Sequence, residues 1–128
     1  MLVDNNGARI ETHHGGSIRG VSEADVRRML DFLFGAVRAI CANRKGVQFA
    51  ARDFLGGENF SWEGTPMQIL FEKYVDEGYS TDDAVAEAGK SAGRLLTRVL
   101  IEDRTRTYRL DDAGMANGYT WIGGVPNN

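Results

Sequence analysis

STDDAVAEAGKSAGRLLTRVLIEDRTRTYRL, residues 80–110, decides how the rest of this chain is read. Ser80 or Thr81 can cap a helix, and Asp82 and Asp83 fall in its first turn, where carboxylates favour the helix dipole. Three structures compete for residues 84–102. The first is a phosphate-binding loop, because Ala84–Ser91 (AVAEAGKS) ends in Gly-Lys-Ser. That chemistry needs a strand before the loop and backbone free to wrap its amides around phosphate. Here an acidic helix start precedes it, and Val85, Ala86, Glu87 and Ala88 can all stay helical. Glu87 would also set a carboxylate against the phosphates, so the match is set aside.

The second structure is one continuous helix, since Val85, Ala88, Ala92, Leu96 and Val99 keep a 3.6-residue period through the glycines. Gly89 and Gly93 would then form a small-residue groove for a neighbouring helix, offsetting a propensity cost of about 2 kcal/mol. The third is a helix–turn–helix: a short helix to Ala88, a turn at Gly89-Lys90, Ser91 as the new cap, and a second helix over Ala92–Glu102. We prefer the third from the sequence. It is followed by two β-rich runs, Thr105–Leu110 and Tyr119–Gly123, joined by the turn-prone DDAGMANG. A helix pair followed by a ribbon is the element order of a winged helix, in which a helix enters the major groove and the ribbon touches phosphate.

Charge supports a nucleic-acid reading only locally. The 128 residues carry a formal −3, which gives no global attraction to polyanions. Between Lys90 and Arg109, however, six cations meet two acids, a local +4 that leaves −7 for the remainder. The candidate nucleic-acid contacts are Lys90, Arg94, Arg98, Arg104 and Arg106. Two features run against them: the acidic total, and Lys90 at a place after the turn where an apolar residue is usually buried.

Size and composition bound the rest. A chain of 128 residues with 42% hydrophobic and 26% charged content reads as one globular domain with its own core. We expect an α+β fold: three to four helices on a small antiparallel sheet, winged-helix-like in its specific form. A flexible or hairpin segment over 1–20 precedes the domain at 21–123, and a tail follows over 124–128. A single cysteine, Cys41, rules out an intrachain disulfide and reads as a small buried apolar residue. His13-His14 point to opposite faces if extended, so no metal is expected. No apolar run suggests a signal peptide or membrane span, and the expected location is cytoplasmic.

Upstream, Asn6-Gly7 suits a type I′ hairpin turn between Leu2-Val3 and Ala8–Thr12. Ser22 caps a helix to Asn43 whose apolar residues are Val26, Met29, Leu30, Leu33, Val37, Ile40 and Cys41. Phe32 and Phe34 widen that arc, predicting self-association through 22–43, and Gly35 suggests close approach of another element. Gly46 reads as its left-handed cap, and Val47–Leu55 as a strand. Thr65-Pro66 opens a further helix ending at Gly78, with Met67, Leu70, Phe71, Tyr74 and Val75 inward.

The loop ENFSWEG (58–64) concentrates aromatics between carboxylates. It reads first as a loop pinned by its own rings. The alternative to nucleic-acid binding is a small-ligand pocket of Phe54, Phe60, Trp62, Tyr119 and Trp121, set at a dimer seam. No nucleophile–base pair or cofactor motif is present, so neither a cofactor nor catalysis is expected.

RDFLGGENFSWEGTP (52–66) followed by AGKSAGRLL (88–96) resembles small uncharacterised proteins carried by bacterial mobile elements, such as phages and integron cassettes. The resemblance carries no signature motif and transfers no functional residue. It implies an accessory protein that acts by binding and leaves the target open; the partner expected from the basic segment is a nucleic acid or a protein.

Overall fold

The computed structural model describes residues 1–11, 18–50, 53, 62–111 and 118–126. Among these it is α+β, with three helices and a five-stranded mixed sheet. The helices are α1 (Glu23–Cys41), α2 (Gln68–Asp76) and α3 (Thr81–Glu102). The strands are β1 (Leu2–Val3), β2 (Arg9–Ile10), β3 (Gln48–Phe49), β4 (Arg106–Asp111) and β5 (Gly118–Gly124).

Local signals set most helix ends. The Ser22 hydroxyl accepts the Asp25 N–H at 3.1 Å, and the Ser80 hydroxyl accepts that of Asp83 at 3.2 Å. Thr65 accepts the Met67 N–H at 3.2 Å just ahead of α2, and Gly78, at φ +98°, closes that helix. The C-terminus of α1 departs from expectation. It ends at Cys41 through Ala42 and Asn43, both left-handed at φ 47° and 61°, before the chain reaches Gly46. Gly46 is left-handed too, but it serves the return to the sheet, donating its N–H to the Trp121 carbonyl at 3.0 Å.

The preferred helix–turn–helix at Gly89-Lys90 is corrected: α3 runs unbroken for 22 residues. Ala84, Ala88, Ser91, Ala92, Leu95, Leu96, Val99 and Leu100 are buried in one continuous arc through both glycines. Packing of that arc outweighs the helix-breaking preference of glycine, because most helical stability in proteins comes from the buried face. Ser91 is no cap; it is 1% exposed and shares a 2.8 Å hydrogen bond with the Tyr74 hydroxyl of α2. The small-residue groove is corrected as well. A Cβ added at Gly89, Gly93 or Gly35 meets nothing within 4 Å among the described residues. The helix pair that does exist is α2–α3, joined through Glu77–Ser80.

The sheet order is β2-β1-β4-β5-β3. Its β4-β5-β3 part is antiparallel, as the sequence predicts, with Tyr108 opposite Trp121 and Phe49 opposite Tyr119. The purely antiparallel sheet is corrected to a mixed one, because β1 pairs parallel to β4. Residues 2–10 form the hairpin option for the N-terminal segment, and Leu2 and Val3 are buried in the domain. Its turn is not type I′: only Gly7 has positive φ, while the Asp4 carboxylate accepts the Asn6 and Ala8 N–H groups at 2.8 and 2.9 Å. The third strand is shorter than expected. It stops at Phe49 because Asp53 folds back, its carboxylate accepting the Ala50 N–H at 2.7 Å, and such a local bond competes with the ladder. Residues 51, 52, 54 and 55 of the predicted strand lie outside the described residues.

Two cores share α1 and α3 as beams. Between the three helices lie Val26, Met29, Leu30 and Leu33 of α1, Leu70 of α2, and Ala88, Ala92, Leu95 and Val99 of α3. Under the sheet lie Val37 and Cys41, Leu96 and Leu100, and the strand residues Phe49, Tyr108, Tyr119 and Trp121. Each large apolar side chain fully buried this way contributes about 1.5–3 kcal/mol. Among the described residues, no helix is long and apolar enough to cross a membrane.

Candidate functional site

The cations singled out in the sequence divide into outward and engaged groups. Lys90 and Arg94 are exposed one turn apart on α3, and Arg104 is exposed just beyond its end. Lys90 makes a loose 3.1 Å pair with Glu87 at an exposed site, worth little in water. Arg94 and Arg104 form no ion pair among the described residues. Arg98 is committed: its side chain is only 14% exposed, and Nε donates to Glu102 at 3.0 Å. Arg106 is committed too. Its guanidinium lies 3.7 Å from the centre of the Trp121 ring, and Nη1 is sealed from solvent without a hydrogen-bond partner among the described residues. Arg109 is held by Asp111 at 2.8 Å on the sheet.

Two open grooves meet at Arg104. One, of about 480 Å³, lies over the α3–β4 joint and is lined by Met1, Arg9, Ile101, Glu102, Arg104 and Val125. Ile101 stands two turns on from Arg94 on the same side of α3, so this groove continues the Lys90–Arg94 line. The other, of about 340 Å³, runs between α1 and the end of α3, with Arg27, Asp31, Phe34, Arg38 and Arg104 among its walls.

Beneath both grooves is a cluster that sequence spacing does not announce. The Asp103 carboxylate, 2% exposed, accepts from Arg38 Nη1 at 2.7 Å, the Tyr108 hydroxyl at 2.8 Å, and the Thr105 N–H and hydroxyl, each at 2.9 Å. Arg38 also donates to the Tyr108 oxygen and to Thr105 Oγ1, both at 2.9 Å. Burial alone would raise the Asp103 pKa, but the bonds from Arg38, Thr105 and Tyr108 outweigh it and hold the carboxyl well below its usual range. Burial and the bond to Asp103 push the Tyr108 phenol up. The Met1 amine donates to the Asp103 and Arg106 carbonyls at 2.6 and 2.8 Å, tying β1 to the same joint.

Both terminal nitrogens of Arg38, the Tyr108 hydroxyl and the Thr105 N–H and hydroxyl are bonded within the fold, so the cluster ties elements together. It fixes α1 against the α3–β4 turn and thereby sets the walls of both grooves. A second polar group sits on the sheet, where Asp111 is held below its usual range, against the effect of burial, by Thr120, Arg109 and Gln48.

Of the aromatic pocket residues that are described, Trp62 is not brought to Tyr119 and Trp121. Trp62 lies 4% exposed in the core between the helices, whereas Tyr119 and Trp121 lie in the core under the sheet. Tyr119 shares its hydroxyl with Thr97 of α3 at 2.9 Å, and Trp121 donates its indole N–H to the Gly123 carbonyl at 2.9 Å. Phe54 and Phe60 lie outside the described residues, as do His13 and His14. Among the described residues no group of three or more His, Cys, Asp or Glu side chains is placed to hold a metal ion.

Sequence reasoning missed Arg27, Arg38, Phe34 and Arg9 as neighbours of Arg104. One signal was available on α1: positions 27, 31, 34 and 38 fall on one helical face. Nothing in the sequence says that this face meets residue 104. No family model, curated protein or solved structure matches the chain.

Proposed function

We propose that this protein is a non-catalytic interaction module that binds nucleic acid through the cations lined up along α3 and its exit. The observation that carries the reading is the exposure of Lys90 and Arg94 one turn apart on α3, with Arg104 and Arg9 together lining the groove at the α3–β4 joint. Lys90 and Arg94 rise about 6 Å apart along the helix, an arrangement suited to following a phosphate backbone. Support also comes from topology. The order α1-β3-α2-α3-β4-β5, with strands β3, β5 and β4 side by side, is winged-helix-like once the helix junction is moved from Gly89 to Gly78. Arg98 and Arg106 take structural parts in this reading, orienting Glu102 and covering Trp121.

The test is a fluorescence titration with labelled oligonucleotides at low and moderate salt. Binding is expected to weaken with salt, and Lys90→Ala, Arg94→Ala and Arg104→Ala each to shallow the salt slope by about one phosphate contact. Salt-insensitive or absent binding would remove the proposal and leave a protein partner as the reading.

A further inference from the structure

The groove between α1 and the end of α3 gives the nucleic-acid reading a more specific form. Its floor includes the Phe34 ring, 43% exposed on a helix whose other large apolar residues are turned inward. The Arg38 guanidinium stands 4.2 Å from the centre of that ring. Arg38 is not free to swing, because Asp103, Tyr108 and Thr105 hold its two terminal nitrogens. A fixed cation therefore covers one face of the ring, and a base would stack on the remaining exposed part. Arg27 and Arg104 line the same groove, exposed and without an ion pair among the described residues. Three carboxylates also line the groove: Asp103 is engaged by Arg38 at 2.7 Å and Glu102 by Arg98 at 3.0 Å, which leaves Asp31 as the exposed carboxylate without an ion pair among the described residues.

A duplex reader places the first turns of a recognition helix in the major groove, between two rows of phosphates. In α3 those turns carry Asp82 and Asp83, both exposed, and Glu87 comes next along the helix. The acidic start opposes that docking, while the cations and the ring gather at the opposite end of the helix. An aromatic face flanked by cations along a groove is the composition that takes unpaired bases and their backbone.

We infer that the α1–α3 groove binds single-stranded nucleic acid, with a base stacked on Phe34 and adjoining phosphates held by Arg27 and Arg104. This rests on the nucleic-acid reading above and narrows it.

The test compares a labelled oligothymidylate with the same strand annealed to oligoadenylate, by fluorescence anisotropy at low salt. The single strand is expected to bind more tightly than the duplex. Phe34→Ala should weaken single-strand binding about tenfold while leaving duplex binding unchanged, and Phe34→Trp should retain binding and show quenched emission on adding the strand. Asp31→Asn should tighten single-strand binding several-fold, a gain that a misfolded variant cannot imitate. Duplex binding as tight as single-strand binding, or no response to Phe34→Ala and Asp31→Asn, overturns the inference and leaves the broader reading standing. Failure of the unmodified protein to bind either probe overturns both, as does a dimer that buries Phe34 and binds no strand.

Discussion

Arg38 and Asp103, 65 positions apart in the chain, meet at 2.7 Å and lock the last turn of α1 to the turn between α3 and β4. Asp103 has almost no contact with solvent, while Arg38 keeps a quarter of its side chain exposed. Their neighbours Tyr108 and Thr105 complete the bonding, so the pair is the keystone of a network and not an isolated ion pair.

Removing one partner should cost far more than the pair contributes, because it strands the other. Asp103→Asn is expected to lower stability by about 3 kcal/mol, and Arg38→Ala by about 2 kcal/mol, less because its site is partly wet. In a double-mutant cycle by urea denaturation the two changes should couple by more than about 1 kcal/mol. Additive losses would contradict the network. The pH dependence has a definite sign. The Asp103 pKa is depressed on folding, so its contribution is complete above the ordinary aspartate value of about 3.9 and drains away as pH falls below it. The Tyr108 pKa is raised, so its contribution is complete below about 10 and is lost as pH rises beyond that. Thermal melts should therefore show a plateau between these limits, and Asp103→Asn should flatten the acid limb.

Gly89 and Gly93 sit in the interior of α3 with open space where a Cβ would stand, among the described residues. Alanine should relieve the entropic cost of glycine without a clash. Gly89→Ala and Gly93→Ala are each expected to stabilise by about 0.5–1 kcal/mol, whereas Gly89→Pro should cost about 3 kcal/mol or more. Denaturant midpoints would report both. A loss of stability on Gly89→Ala would mean that the helix needs a break there after all.

Ala42 closes α1 in a left-handed conformation at φ 47°, which a side chain with a Cβ resists. Ala42→Gly should gain about 0.5–1 kcal/mol, the relief at the cap being partly offset by the freer unfolded chain. A calorimetric melting temperature that falls on this change would contradict the cap geometry.

Arg106 tests whether a cation belongs to the fold or to the ligand. Its ring contact with Trp121 and its sealed Nη1 assign it to the fold. Arg106→Met keeps much of the side-chain volume and removes the unpaired donor, so stability should change by less than about 1 kcal/mol, while tryptophan emission shifts. The salt slope of nucleic-acid binding should stay as in the unmodified protein. A slope reduced by about one contact would move Arg106 to the interface.

The sequence alone determined the features that lie within a few residues of their own signal. Ser22 and Ser80 cap their helices because hydroxyl and N–H are three positions apart. The buried set of α1 comes from a 3.6-residue period, and the β4–β5 ribbon from two β-rich runs around a turn-prone sequence. The tertiary structure alone decided the rest. Gly89 could break α3 or not, and a buried arc that packs against α1, α2 and the sheet kept the helix whole. The local +4 of residues 90–109 could not say which cations face outward, because Arg98 and Arg106 found Glu102 and Trp121. Trp62 and Trp121 look alike in the sequence and fall in different cores. Asp103 is one more acid at a helix end until Arg38 and Tyr108 reach it. Caps and periods are local, whereas partners and burial come from contacts between distant parts of the chain, and for residues 80–110 those contacts turned an expected junction into one unbroken helix.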